Sequence, residues 1–242
     1  MNAEPSAVQP NEQSDTRRGI AKWLMREVMG VLLVAVTLFI PAGRLDWWQG
    51  WAVVGIYAVW SAANALILIP RNPELLIERA SRKKDAATWD TVILSIIGLA
   101  TLAKHIVAGL DVRWEWTAQK MPLALQISAL VIAALGYALG TWAMASNPFF
   151  SLVGRIQEDR GHAVATSGPY QVVRHPAYVG TAVFELATPI LLGSLWALIP
   201  GGLIALLTVI RTALEDKMLH QGLSGYEEYA QRVRYRLLPG IW

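Results

Sequence analysis

Cysteine is absent from the 242 residues, and charge is scarce: Asp, Glu, Lys and Arg make up 16% against 54% apolar residues. Without thiols there can be no disulfide framework, no thiolate metal site and no cysteine nucleophile. Histidine is rare as well, with four residues, and no His/Asp/Glu cluster has metal-ligand spacing, so no metal is expected. A charged fraction this far below the roughly 25% of ordinary globular chains speaks against a soluble domain. What the chain has instead is apolar residues bunched into runs of about 20, the length that crosses a bilayer. The net charge of +3 and pI of 9.3 do not point to nucleic acid. The Lys and Arg residues fall between the apolar runs, where membrane topology already requires them.

Residues 1–21 begin polar and rich in Pro, Gln, Asn and Ser, which reads as a disordered tail. The apolar run that follows starts late and has no small-residue cleavage site, unlike a secretory signal. Arg17, Arg18, Lys22 and Arg26 form a basic patch before span one, 28–40, which Pro41 and Gly43 stop. Trp47, Trp48 and Trp51 are an interfacial belt opening span two, which ends at Pro70. Asn64 inside it is expected to hydrogen-bond a neighbouring helix. The 71–88 loop carries Arg79, Arg82, Lys83 and Lys84 and has room for a short interfacial helix over 74–79. Span three covers 89–110, with Lys104 and His105 near its far end, where a lysine can snorkel. After a polar connection over 111–120, span four covers 122–144 and contains Gly136 and Gly140, a spacing that lets helices approach closely.

Beyond Pro148 lies the longest polar segment between spans. It has short β-compatible pieces at 149–153 and 162–166, and fixed-φ residues that argue against disorder. Span five starts near Ala177; Pro189, Gly193 and then Pro200-Gly201-Gly202 interrupt it before a last apolar run over 203–213. Both pieces are short for a crossing, so a tilted helical hairpin is expected. Glu185 within span five is a costly intramembrane carboxylate and hence a suspected functional residue. The expected fold is therefore all-α: a polytopic membrane protein of about five to six transmembrane helices with a C-terminal helical hairpin and a cytoplasmic cofactor-binding loop. Lys and Arg are concentrated in the tail, the 71–88 loop, the 145–176 loop and the C-terminus, placing both termini in the cytoplasm. The missing signal peptide and short loops suggest a bacterial inner membrane.

Gly168-Pro169-Tyr170, then Arg174-His175-Pro176-x-Tyr178-x-Gly180, make a rigid polar loop directly before an apolar run. Glu215-Asp216 follow at the end of the last apolar run. Then come Gly225-Tyr226-x-x-Tyr229 and Arg232-x-Arg234-Tyr235-Arg236-x-x-Pro239. In this order, these residues resemble the signature of the isoprenylcysteine carboxyl methyltransferase and phospholipid methyltransferase superfamily. The resemblance covers residues 145–242, with 22–144 as preceding membrane helices. The stretch Asn72-Pro73-Glu74-Leu75 with Trp89-Asp90 resembles bacterial members more loosely.

The resemblance implies an integral membrane methyltransferase that binds S-adenosylmethionine between loop and C-terminal segment, releases S-adenosylhomocysteine, and takes a lipophilic acceptor from the lipid. Arg174, His175 and Glu215 are then the expected catalytic residues. Arg174 and His175 would pair with the cofactor carboxylate, and Glu215 would accept from the ribose or ammonium. Tyr170, Tyr178 and Tyr229 would flank adenine or the sulfonium. Gly168 and Gly180 would bring backbone close, with Pro176 fixing the helix start. Arg232, Arg236 and Glu185 are the candidate acceptor-binding residues, the two arginines being taken as one helical turn apart. A carboxylate acceptor needs no general base, whereas an amine would need His175 or a tyrosinate. Three other readings stand beside carboxyl methylation: N-methylation of phospholipid amines, an NADPH-dependent sterol-type reductase, and a non-enzymatic membrane scaffold.

Overall fold

A computed structural model describes residues 10–71, 87–117 and 121–242. The proposed 74–79 helix, the Asn72-Pro73-Glu74 motif and the basic residues Arg79, Arg82, Lys83 and Lys84 lie outside the described residues. Among these residues the structure is helical without a strand. The helices are α1 (Pro10–Ala42), α2 (Trp48–Arg71), α3 (Thr88–Trp114), α4 (Leu123–Ala145), α5 (Pro176–Leu192), α6 (Leu198–Gly222) and α7 (Tyr226–Arg232). Five of them hold segments of 23 to 27 residues apolar enough to cross a membrane. At 1.5 Å per residue these reach about 35–40 Å, more than the roughly 30 Å of hydrocarbon. Leu66, Leu99, Ile40 and Ile199 lie exposed on their outer faces, as a lipid solvent permits. The chain is an integral membrane protein.

Around the bundle, neighbours run α2, α1, α3, α6, α5, α4 and back to α2. The 17-residue α5 is too short to be read as a full span by itself, and it needs no lipid face of its own. It touches α2, α3, α4 and α6. Its tightest contact is with α4. A Cβ on Gly136 would sit 2.7 Å from the Gly180 carbonyl oxygen, and a Cβ on Gly180 would collide with the Gly136 carbonyl. The signature glycine Gly180 thus lets α4 and α5 pack closely. Gly180→Leu is expected to cost about 1–3 kcal/mol by overpacking, seen as a lower Tm in detergent. Gly98→Leu, with open space beside Gly98, should leave Tm unchanged.

Four expectations are corrected here. The first helix begins at Pro10, so the tail expected to be disordered to residue 21 is helical over 10–21. Proline suits the first helical position. Pro200-Gly201-Gly202 does not break the chain: α6 runs unbroken through it. Pro200 lies in the first turn, where no N–H is needed, and Gly201 tucks against the Glu185 carbonyl oxygen, 2.6 Å from where its Cβ would be. The turn before α6 comes at Gly193 (φ +77°), whose N–H caps α5 on Ile190. Glu215, Asp216 and His220 therefore sit inside a 25-residue helix. Third, Asp111 belongs to the buried end of α3. There it accepts the Thr117 amide (2.7 Å), the Thr117 hydroxyl (2.6 Å) and the Ser194 hydroxyl (2.5 Å). Fourth, Lys104 is fully buried and does not snorkel: its Nζ meets Glu185 Oε2 at 2.5 Å. Asn64 is buried too, with Oδ1 unpaired among the described residues.

Candidate functional site

The loop between α4 and α5 is set by close packing at its end. Gly168 (φ +59°) opens a 3₁₀ turn over Gly168–Gln171, and a Cβ there would strike the Ser146 hydroxyl on α4. Pro176 is the first residue of α5 and His175 caps it. The backbone N–H groups of Arg174 and His175 donate to the carbonyls of Tyr235 (2.9 Å) and Arg236 (3.0 Å). Loop and C-terminal segment are thereby laid side by side.

Both converge on Asp216, which is entirely buried. Its carboxylate accepts Arg174 Nε (2.8 Å) and Nη2 (3.2 Å), Arg236 Nε (2.8 Å) and the Tyr226 hydroxyl (2.9 Å). His175 Nε2 lies 3.3 Å away and His220 Nε2 3.8 Å. Arg174 Nη1 donates to the carbonyls of Val233 (2.9 Å) and Arg234 (2.8 Å). The fork expected to hold a cofactor carboxylate is therefore already engaged, and Arg174 acts as the tie between loop, α6 and C-terminal segment.

Beside this hub lies a cavity of about 340 Å³. Arg211, Glu215, Met218 and Leu219 line it from one face of α6, at the i, i+4, i+7, i+8 spacing of a single helical stripe. Gly136, Tyr137 and Gly140 on α4, Trp60 on α2, residues 149–155 of the loop, and Tyr170, Tyr226 and Tyr229 complete it. Glu215, one residue before the hub, faces the cavity and is half-buried; the Tyr178 hydroxyl donates to its Oε2. The Tyr178 ring lies parallel to the His175 imidazole at 5.7 Å, with the Arg211 guanidinium 5.1 Å from its centroid. Tyr229 donates to the Tyr170 carbonyl (2.7 Å). Burial pushes the phenols of Tyr170, Tyr226 and Tyr229 up; the Tyr226 and Tyr229 hydroxyls donate, and the Tyr170 hydroxyl accepts from Asn147 Nδ2 (3.4 Å). His162 also lines the cavity; burial lowers its pKa, and its Nδ1 accepts the Gln157 amide (3.3 Å).

Of the expected site residues, the cavity brings together Tyr170, Arg174, His175, Tyr178, Glu215 and Tyr229. Gly168, Pro176 and Gly180 serve packing and helix initiation outside it. Arg232 is exposed at the end of α7, and Arg236 lies beyond that helix, bonded to Asp216 and 5.0 Å above the Trp242 ring. The two arginines are not one helical turn apart, because α7 ends between them. Glu185 is bound by Lys104 and does not line the cavity.

Sequence reading passed over Arg211, quoted Asp90 in the looser resemblance without giving it a role, and left Asp216 out of the site. Arg211 is buried; its Nε and Nη2 donate to Asp90 at 2.6 and 3.2 Å and its Nη2 to the Leu152 carbonyl at 2.8 Å. Its Nη1 has no hydrogen bond among the described residues. The signal was there: Arg211 is the lone charge between Leu198 and Leu214, and an intramembrane charge asks for a role.

The isoprenylcysteine carboxyl methyltransferase family matches the chain over residues 124–221. Protein-S-isoprenylcysteine O-methyltransferase of Schizosaccharomyces pombe is 39% identical over 70 residues, 28% of this chain and 30% of that protein. Protein-S-isoprenylcysteine O-methyltransferase B of Arabidopsis thaliana is 32% identical over 91 residues, 35% of this chain and 44% of that protein. The chain thus spans less than half the length of these relatives. The matched segment runs from α4 through the loop and α5 to the hub on α6.

Proposed function

We propose that the protein is an S-adenosylmethionine-dependent methyltransferase that esterifies the carboxylate of a lipophilic, isoprenoid-type acceptor at the membrane. The observation that carries this reading is the pair of opposite charges on one face of α6 in the cavity wall: Glu215 and Arg211, one helical turn apart. The relatives' names supply the reaction class. Both termini are assigned to the cytoplasm of a bacterial inner membrane. This is supported by Arg17, Arg18, Lys22, Lys217, Arg232 and Arg234, which all belong to the end of the bundle that holds the cavity. The catalytic core is assigned to 145–242, with α4 as its packing partner.

The donor set suits the cofactor. Glu215 accepts from a ribose diol or an ammonium, and the aromatic rings of Tyr170, Tyr178 and Tyr229 offer faces to adenine or a cationic sulfur. The chemistry supplied by S-adenosylmethionine when bound is an electrophilic methyl group. Arg211 offers its Nη1 hydrogens to an acceptor carboxylate, a charge-assisted bond inside a water-poor cavity. Trp60 and Tyr137 shape the apolar end for the acceptor's hydrocarbon. A carboxylate attacks without losing a proton, so orientation and exclusion of water are what the protein must provide. A guanidinium at the acceptor position favours an acid over an amine. This ranks N-methylation second.

Incubation of membranes containing the protein with methyl-labelled S-adenosylmethionine, followed by lipid extraction and base treatment, tests the reading. Labelled methanol is expected. Base-stable label in the lipid would replace carboxyl methylation by N- or O-alkylation. Absence of S-adenosylhomocysteine binding to purified protein by calorimetry would remove the methyltransferase assignment.

A further inference from the structure

Resting on that reading, we infer that Asp90, outside the family-matched segment, is a positioning residue that keeps Arg211 and Glu215 apart so that each faces its own ligand. Asp90 lies in the first turn of α3 and is fully buried. Its Oδ1 takes Arg211 Nε (2.6 Å), and its Oδ2 takes both Arg211 Nη2 (3.2 Å) and the Gly154 amide (2.6 Å). The first turn of an α-helix also favours a carboxylate there through the helix dipole.

Arg211 and Glu215 stand four residues apart on one face of α6, the spacing at which opposite charges on a helix pair readily. No bond joins them among the described residues; Glu215 instead receives the Tyr178 hydroxyl. Asp90 explains the separation. It grips the guanidinium by two of its three nitrogens, and the Leu152 carbonyl (2.8 Å) holds the same edge. The remaining Nη1 is left as the free end in the cavity wall. The same carboxylate pins Gly154, whose close approach to Trp89 leaves only 3.3 Å for a Cβ. One residue from the N-terminal half thereby fixes both the loop wall and the cation. Released from Asp90, Arg211 turns to Glu215, and the acceptor site and the cofactor site neutralise each other.

The test uses purified full-length protein in detergent, with S-adenosylhomocysteine as calorimetric probe and methyl transfer as second readout. Asp90→Asn keeps the shape but loses the charge. Its affinity for S-adenosylhomocysteine is expected to fall about tenfold or more, because Glu215 is captured by Arg211. Adding Arg211→Met to Asp90→Asn removes the captor, so affinity is expected to return to within about threefold of wild type while methyl transfer stays lost. A purely structural Asp90 would give no such recovery: a double variant binding as weakly as Asp90→Asn overturns the inference, as does a folded Asp90→Asn with unchanged affinity. Should Asp90→Asn not fold, Asp90→Glu decides the matter. The conserved charge is expected to keep binding within about threefold, and a folded Asp90→Glu that has lost it overturns the inference. If wild-type protein itself binds no S-adenosylhomocysteine, the methyltransferase reading falls and this inference falls with it.

Discussion

Asp216→Ala is expected to cost about 3 kcal/mol of stability and to abolish S-adenosylhomocysteine binding, whereas Glu215→Ala next to it should abolish binding with Tm nearly unchanged. The contrast follows from where the two carboxylates point. Asp216 is entirely buried and neutralises Arg174 and Arg236, with His175 and His220 close by. Its removal leaves a buried guanidinium without a counter-charge, a class of change that costs about 3–5 kcal/mol. The lower end applies because Arg236 is about a third exposed, its side chain at 34%, and can recover hydration. With the hub gone, the 233–236 segment keeps its bonds to Arg174 Nη1 and to the Arg174 and His175 amides but loses the tie from Arg236 to α6. Glu215 makes one hydrogen bond, to Tyr178, stands 4.0 Å from His175 Nδ1 and faces the cavity, so its loss is felt by the ligand and little by the fold. Thermal unfolding and calorimetry on the two variants separate the roles. Equal losses of Tm in both would refute this division.

How far the sequence could be read depends on the range of the interaction concerned. Apolar runs and their basic flanks follow from the bilayer's own requirements, so α2, α3, α4 and α5 were legible to within a few residues at each end. Pro200-Gly201-Gly202 misled for a local reason. Proline and glycines signal a break unless the proline falls in a first turn and a glycine is needed for contact, and only the α5 neighbour reveals that Gly201 abuts Glu185. Because the last apolar run was read as ending at Ala213, the stripe Arg211, Glu215, Met218, Leu219 was not seen as one helical face. Gly168 and Gly180 show the same limit. A signature glycine tells that something comes close, and here the close partner is α4. Arg174 and Asp216 are separated by 42 positions and Asp90 and Arg211 by 121. Such pairings rest on which helices are neighbours, and no local pattern carries that.

The buried pair deep in the bundle gives the other large effect. Lys104→Met is expected to destabilise the protein by about 3–5 kcal/mol, and Lys104→Met combined with Glu185→Leu to restore stability to within about 1 kcal/mol of wild type. Glu185 sits nine residues into α5 beyond Pro176, about 14 Å from the helix start by its rise. An orphaned carboxylate there can neither reach water nor find another cation: His105 is buried against Thr37, and the Phe184 ring lies 5.1 Å from Lys104 Nζ. Charge burial without a partner is the expensive state, while two apolar side chains of similar size fill the same volume at little cost. Because Glu185 does not line the cavity, the double variant should still bind S-adenosylhomocysteine and transfer methyl groups. Thermal unfolding of both single variants and the double variant closes the cycle. A double variant that is stable but inactive would show that the pair serves the reaction itself, and additive destabilisation would show that the two charges do not depend on each other.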